Sequence, residues 1–164
     1  MNSRRFHIVL YEPEIPPNTG NIIRLCANTG ANLHLIYPLG FELDDKKLRR
    51  AGLDYSEWAQ IFHYTNYQEF LKNGEIGRLF ALTTKGQRLY TDVSFQQGDG
   101  FLLGPETRGL PDGILQEMTD HYCLTVPMIK GSRSLNLSNT AALVLYEAWR
   151  QQGFFGAKGL SDVD

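Results

Sequence analysis

Ser134, Asn136, Ser138 and Asn139 cluster where a short apolar run ending at Val126 breaks into a polar loop and then a long helical pattern. Hydroxyls, amides and backbone N–H groups gathered at a helix start favour polar ligands and anions, so this stretch predicts a ligand site. A second polar turn runs from Glu12 to Arg24. Its prolines fix an extended entry, Asn18 or Thr19 is placed to cap a helix, Gly20 allows close approach, and Arg24 projects about one turn further in. That set suits a phosphate or a hydroxyl at a helix N-terminus, and simple helix capping accounts for it equally well. In a third turn, Phe101 to Pro111, Gly104 and Gly109 bracket Glu106 and Arg108. The glycines admit a flat ligand, and a turn before a proline-led helix has the same pattern.

These residues need rigid elements to bring them together. Strand-like runs fall at His7–Tyr11, Leu33–Tyr37, Gln60–Tyr64, Arg78–Thr83, Phe101–Gly104 and Tyr122–Val126, nearly continuous in apolar residues rather than alternating. Strands of that kind are covered on both faces. Helical patterns separate them at Asn21–Thr29, Asp45–Gly52, Tyr67–Lys72, Pro111–Met118 and Leu135–Gln152. The alternation predicts an α/β fold with a mainly parallel sheet flanked by helices. In such a sheet the C-terminal strand ends share a rim, which would collect the Gly104 turn, the Lys130–Ser138 loop and the segment Leu82–Gly86. That rim offers backbone groups for a heterocycle and apolar walls from Leu82, Val126, Met128 and Leu135.

With 164 residues, 42% hydrophobic and 12% aromatic, the chain fits one domain with an ordinary core. The expected domain spans residues 1–155, and Gly156–Asp164 reads as a loose tail. No apolar stretch reaches the length of a signal segment or a membrane span, which makes a cytoplasmic protein with no membrane partner the expectation. Cys26 and Cys123 lie far apart, and His7, His34, His63 and His121 lack ligand spacing, so neither a disulfide nor a metal centre is expected. The dinucleotide pattern G-x-G-x-x-G, the phosphate loop G-x-x-x-x-G-K-[ST] and the hydrolase elbow G-x-S-x-G are all absent, which counts against those enzyme classes.

A formal net charge of −2 argues against a generally basic nucleic-acid coat, yet the bases come in clusters. Lys46, Lys47, Arg49 and Arg50 form the densest, and Lys85, Arg88, Arg108, Lys130 and Arg133 sit in or beside the polar turns. Preceded by Asp44 and Asp45, the dense cluster also fits a solvated helix face aligned with the helix dipole. In the last helix Leu137, Ala141, Val144, Leu145 and Ala148 form one apolar face and Ala142, Tyr146 and Trp149 another. A terminal helix apolar on two sides predicts a homodimer, or else a second element of the same chain packed against it.

Together the three turns resemble the motifs of the SPOUT superfamily of knotted RNA methyltransferases. Asn18-x-Gly20-Asn21-Ile22-x-Arg24 is similar to motif one of its 2′-O-ribose branch, Leu103-Gly104-Pro105-Glu106-x-x-Gly109 to motif two, and Ser134-Leu135-Asn136-Leu137-Ser138 to motif three. The likeness covers about His7 to Gly153. Ile8–Asn18, Leu48–Tyr55 and Ala81–Gly86 narrow it to the small bacterial enzymes that methylate the wobble nucleotide, cytidine or uridine, of leucine tRNAs. The larger relatives carry an added RNA-binding domain for which this chain has no room.

The resemblance implies a deep trefoil knot in the C-terminal third and a homodimer built around the first and last helices, with Tyr146 on the dimer helix. It places S-adenosylmethionine, whose product is S-adenosylhomocysteine, against Leu82, Thr83, Gly104, Glu106, Val126, Met128, Ser134 and Leu135. Arg24 falls on the family's catalytic arginine, with Asn136 and Ser138 nearby. Lys85, Arg88, Arg108 and Arg133, joined by Lys46 and Arg49, would hold a tRNA anticodon stem-loop. The implied chemistry is in-line attack of a ribose 2′-oxygen on the sulfonium methyl, with no metal and no covalent enzyme intermediate. Arginine is a poor proton acceptor, so a phosphate-binding and alkoxide-stabilising role suits that residue better than general base. The competing readings are a non-catalytic RNA-binding module of the same fold and methylation at another RNA position; cofactor binding separates the first from an enzyme.

Overall fold

The computed structural model describes residues 5–58 and 60–159. Its strands are β1 (His7–Tyr11), β2 (Asn32–Ile36), β3 (Phe62–Tyr64), β4 (Leu79–Leu82), β5 (Arg88–Leu89), β6 (Gly100–Leu103) and β7 (Cys123–Thr125). The helices are α1 (Pro16–Thr29), α2 (Asp45–Arg50), α3 (Tyr55–Trp58), α4 (Tyr67–Asn73), α5 (Asp112–Glu117) and α6 (Leu137–Gln151). The strands make one parallel sheet in the order β3-β2-β1-β6-β4-β7-β5. This is the expected α/β architecture, and β1 begins and ends on the residues that its apolar run defines.

Burial on both faces explains the continuous apolar strands. Ile8 and Leu10 of β1 enter a core with Ile22, Ile23 and Cys26 of α1 and Ala141, Val144, Leu145 and Ala148 of α6. Val9 points the other way, to Tyr67 and Phe70 of α4 and Ile114 of α5. The chain steps outward from β1 to β2 and β3, then returns on the other side, with β6 inserted between β1 and β4. Their C-terminal ends, Leu82 and Leu103, are paired in register, so the loops that follow them start side by side.

Several expectations need correction. Helix α1 starts at Pro16, well before the expected Asn21, because a proline pair costs nothing in a first turn whose N–H groups have no partner. Asn18 and Thr19 therefore lie inside the helix, and Thr19 is fully buried with an unbonded hydroxyl that caps nothing. Trp149 belongs to the buried side of α6, where its Nε1 donates to the Phe155 carbonyl at 2.8 Å, leaving Ala142 and exposed Tyr146 on the other side. Strand β5 and helix α3 have two and four residues, too few for a period to show. Of the expected tail, residues 160–164 lie outside the described ones; Phe155, just before it, packs its ring at a tilt against Phe6.

His7 and His34, which sequence left without a role, form a buried ladder. His7 Nδ1 lies 2.9 Å from His34 Nε2, and His34 Nδ1 lies 2.8 Å from the Tyr64 hydroxyl, under Phe62 and Phe70. Burial, with the Arg5 charge adding to it, pushes His7 down to about 4; burial and then His7 push His34 down to about 3. Both are therefore neutral in the fold at pH 5, whereas the unfolded chain binds protons at both below about 6.5. Stability is full above that value and falls as pH drops, by about 2–4 kcal/mol between pH 7 and 5 for the pair. Urea unfolding at the two pH values measures it, and His34→Gln should flatten the slope; equal stabilities would refute it.

Candidate active site

Three loops from neighbouring strand ends enclose a cavity of about 450 Å³. Leu82 ends β4 and Thr83 and Lys85 follow it; Gly104, Glu106 and Arg108 follow β6; Val126, Met128, Ser134, Leu135 and Asn136 follow β7. The four expected apolar walls, Leu82, Val126, Met128 and Leu135, all face it. Its size is that of a small-molecule site, typically about 300–1,000 Å³.

A hydrogen-bonded relay joins the three polar turns. Glu106 accepts the Glu14 and Ile15 backbone N–H groups, both at 2.8 Å, and Asn18 Nδ2 at 3.2 Å. Glu14 in return accepts the Thr107 N–H and hydroxyl at 2.8 Å. Those two Thr107 bonds hold the Glu14 carboxyl below its usual range, with Arg108 helping against desolvation. Asn18 Oδ1 accepts from Asn136 Nδ2 at 3.0 Å. Asn136 Oδ1 then accepts the Ser138 N–H at 2.9 Å, the Ser138 hydroxyl at 2.7 Å and the Asn139 N–H at 3.2 Å. Asn136 is thus the N-cap of α6, and the Ser138 and Asn139 N–H groups, read from sequence as open to an anion, are already taken.

Arg24 stands apart. It lies on a different face of α1 from Asn18, in a second hollow of about 380 Å³ lined by Pro16, Pro17, Asn21, Phe41, Leu43 and Lys47 among others. Its Nε bonds Glu57 and its Nη2 donates to the Gly52 carbonyl at 2.6 Å. The expected trio is therefore divided within one chain: Asn136 faces the first cavity, Ser138 braces Asn136, and Arg24 is turned toward the α2–α3 hairpin.

The model of the SpoU rRNA Methylase family matches residues 5–146. The chain belongs to that family. Its membership makes it a methyltransferase, and its relatives agree. A tRNA (cytidine(34)-2′-O)-methyltransferase of Saccharophagus degradans is 60% identical over 153 residues, 93% of this chain and 99% of its own. The Escherichia coli (strain K12) protein of the same name is 58% identical over 151 residues, 92% and 96% of the two chains. A solved structure concerned with 2-OH methylation of C/U34 on tRNA superposes with a TM-score of 0.82 at 41% identity, covering 93% of this chain and 99% of that one. The SpoU methyltransferase AviRb of Streptomyces viridochromogenes, solved with the cofactor AdoMet, gives 0.77 at 26% identity over 93% and 62% of the two chains.

Within this SpoU chain the eight residues expected around S-adenosylmethionine line one cavity. Gly104 sets the tightness of the turn that forms one side of it. A Cβ there would lie 2.4 Å from Leu110 N and 2.6 Å from Gly109 C, backbone atoms that cannot step aside. Gly104→Ala should therefore spread the turn and weaken cofactor binding by at least about tenfold. Calorimetry with S-adenosylmethionine tests this, and unchanged affinity would remove Gly104 from the site.

The expected RNA-binding cations divide in two. Lys46, Arg49 and Arg133 are exposed. Lys85 pairs with Asp112 at 2.7 Å, and Arg108 spans Glu12 at 3.4 Å and Glu14 at 3.6 Å, though both face the cavity rim. Arg88 is half-buried and donates to the His121 carbonyl at 2.9 Å and the Asp92 carbonyl at 3.4 Å, which ties β5 to the segment before β7. Sequence reading missed Glu57. The spacing of Asp54 and Glu57 is a helix-start signal that could have drawn attention to it. Among the described residues no helix is long and apolar enough to cross a membrane, and no three His, Cys, Asp or Glu side chains converge to hold a metal ion.

Proposed function

We propose that this chain transfers a methyl group from S-adenosylmethionine to the ribose 2′-hydroxyl of the wobble nucleotide, cytidine or uridine, of leucine tRNAs. The observation that carries the reading is the single cavity in which the loops after β4, β6 and β7 meet beside Asn136. Relatives at 57–60% identity named for cytidine 34 supply the position. Leucine tRNA and the uridine option rest on the sequence resemblance.

S-adenosylmethionine supplies a methyl group made electrophilic by its sulfonium. The apolar walls Leu82, Val126, Met128 and Leu135 hold the cofactor and exclude water, with Thr83, Gly104 and Ser134 giving polar and backbone contacts. Glu106 lines this cavity but spends both carboxylate oxygens on the α1 entry, so its part is to hold the three turns together. Ser138 gives its only hydroxyl hydrogen to Asn136, which fixes the amide at the cavity edge. Arg24, which lies outside this cavity in its own chain, would reach the reacting ribose across the homodimer, gripping the adjacent phosphate and stabilising the alkoxide as the proton leaves to that phosphate or to water. Lys46, Arg49, Lys85, Arg108 and Arg133 seat the anticodon stem-loop, whose unpaired bases are open to recognition.

The working molecule is a cytoplasmic homodimer of one domain, residues 1–155, whose C-terminal segment is knotted. The insertion of β6 between β1 and β4, and the return of α6 to pack against α1 and β6, support that path. Exposed Leu143 and Tyr146 on α6, with Ile15 and Phe154, support the dimer face.

The test is transfer of tritiated methyl from S-adenosylmethionine into tRNA from cells lacking this protein, followed by nucleoside mapping. Label on the 2′-oxygen of wobble cytidine or uridine in leucine tRNAs is expected. Label at another position would replace the substrate, and absent cofactor binding would favour an RNA-binding module. Affinity for tRNA should also fall steeply between low and physiological salt, and a flat dependence would remove the assigned phosphate contacts.

A further inference from the structure

Glu57 lies in the first turn of α3 and Asp54 precedes that helix, the spacing of a capping box. Its Oε1 does what such a box requires and accepts the Asp54 backbone N–H at 2.8 Å. Its Oε2 serves another element altogether and accepts from Arg24 Nε, while the Gly52 carbonyl takes Arg24 Nη2. A planar cation bonded through two of its nitrogens has a fixed orientation. The Glu57 side chain is 13% exposed and that of Arg24 47%, so the anchor is sheltered and the cation open to a ligand. The Asp54 N–H first, and Arg24 after it, hold the Glu57 carboxyl below its usual range against the effect of burial.

The geometry points to Glu57 as a positioning residue for methyl transfer, which sets the Arg24 guanidinium in the orientation from which it meets the RNA. This rests on the function proposed above. The same hairpin carries exposed Lys46 and Arg49 on α2, so RNA seated on those cations lies on the element that aims the arginine. Glu57 touches neither RNA nor cofactor in this role. Its loss should reach the rate through Arg24 alone.

The experiment measures steady-state methyl transfer into unmodified tRNA by the full chain. Glu57→Ala should lower kcat by about 10- to 100-fold while KM for tRNA stays within about twofold. Cofactor affinity by calorimetry should not change. Glu57→Gln, which keeps one acceptor oxygen, should recover part of the loss, and it carries the comparison if Glu57→Ala does not fold. The double variant Arg24→Ala with Glu57→Ala should be no slower than Arg24→Ala alone. An unchanged kcat in Glu57→Ala, or a loss that adds in full to that of Arg24→Ala, would overturn the positioning role and leave the proposed function intact. An Arg24→Ala variant at full speed would likewise overturn the positioning role, whereas a wild-type chain that methylates no tRNA would overturn both.

Discussion

Arg24→Ala should reduce methyl transfer into tRNA by about 10³-fold while leaving S-adenosylmethionine affinity unchanged. The two halves of this result follow from where the side chain sits. Arg24 lies in its own hollow, outside the cavity lined by Gly104, Val126 and Leu135, so truncating it removes nothing from the cofactor walls. What it removes is a cation able to meet a phosphate and a developing alkoxide, and one well-placed donor to a developing oxyanion is worth about 10²–10³-fold in rate. Arg24→Lys separates charge from shape. A lysine keeps the charge but cannot bond Glu57 and the Gly52 carbonyl through a planar fork, so the variant should regain RNA affinity more than kcat. Near-normal turnover in Arg24→Lys would show that a diffuse positive charge suffices. Its half-exposed ion pair contributes little to folding, so melting temperature should barely move in either variant.

The division of Arg24 from Asn136 marks the limit of what the sequence could show. Continuous apolar runs such as Ile8–Leu10 declared buried parallel strands because a strand covered on both faces takes mostly apolar side chains, with a polar one such as His7 admitted where it finds a buried partner. The cavity was legible for a related reason: Leu82, Gly104 and Val126 lie at or just beyond strand ends, and parallel strands put such loops on one rim. The direction in which a helical side chain points was not legible. Asn18 and Arg24 occupy one helix six positions apart, yet one bonds Glu106 and the other Glu57. A helix read as starting at Asn21 leaves Asn18 outside it; with the start at Pro16 both residues lie on α1, and six positions at about 3.6 residues per turn set them about 120° apart around its axis. The partners of the charges were not legible either. Arg88 and Arg108 sit in polar turns as an RNA-binding residue would, but spacing carries no record of the His121 carbonyl or the Glu12 and Glu14 carboxylates that engage them.

Asp99→Ala should cost about 3–5 kcal/mol of stability, although Asp99 lies at the opposite end of β6 from the Gly104 turn. Its carboxylate is 1% exposed and accepts Arg78 Nε at 2.9 Å, Arg78 Nη2 at 2.7 Å and the Gln96 N–H at 2.7 Å. Arg78 also lies over the Phe80 ring, 5.1 Å from its centre, and donates to the Ser94 carbonyl. Removing the carboxylate leaves a partly buried guanidinium and a backbone N–H without their acceptor, which is costlier than never having built the pair. The site depends on this because β6 is the strand between β1 and β4, and the Gly104 turn inherits its position from that strand. In a domain of this size the loss corresponds to a fall in melting temperature of roughly 6–20 °C. Asp99→Asn, which keeps an acceptor for Gln96 and for one guanidinium N–H, should fall by less. Calorimetric melting of the three proteins decides it, and an Asp99→Ala variant melting within about two degrees of wild type would show that the Arg78 pair contributes no net stability. At 20 °C, where both variants remain mostly folded, methyl transfer per folded molecule should match wild type, because Asp99 holds the strand and touches neither hollow.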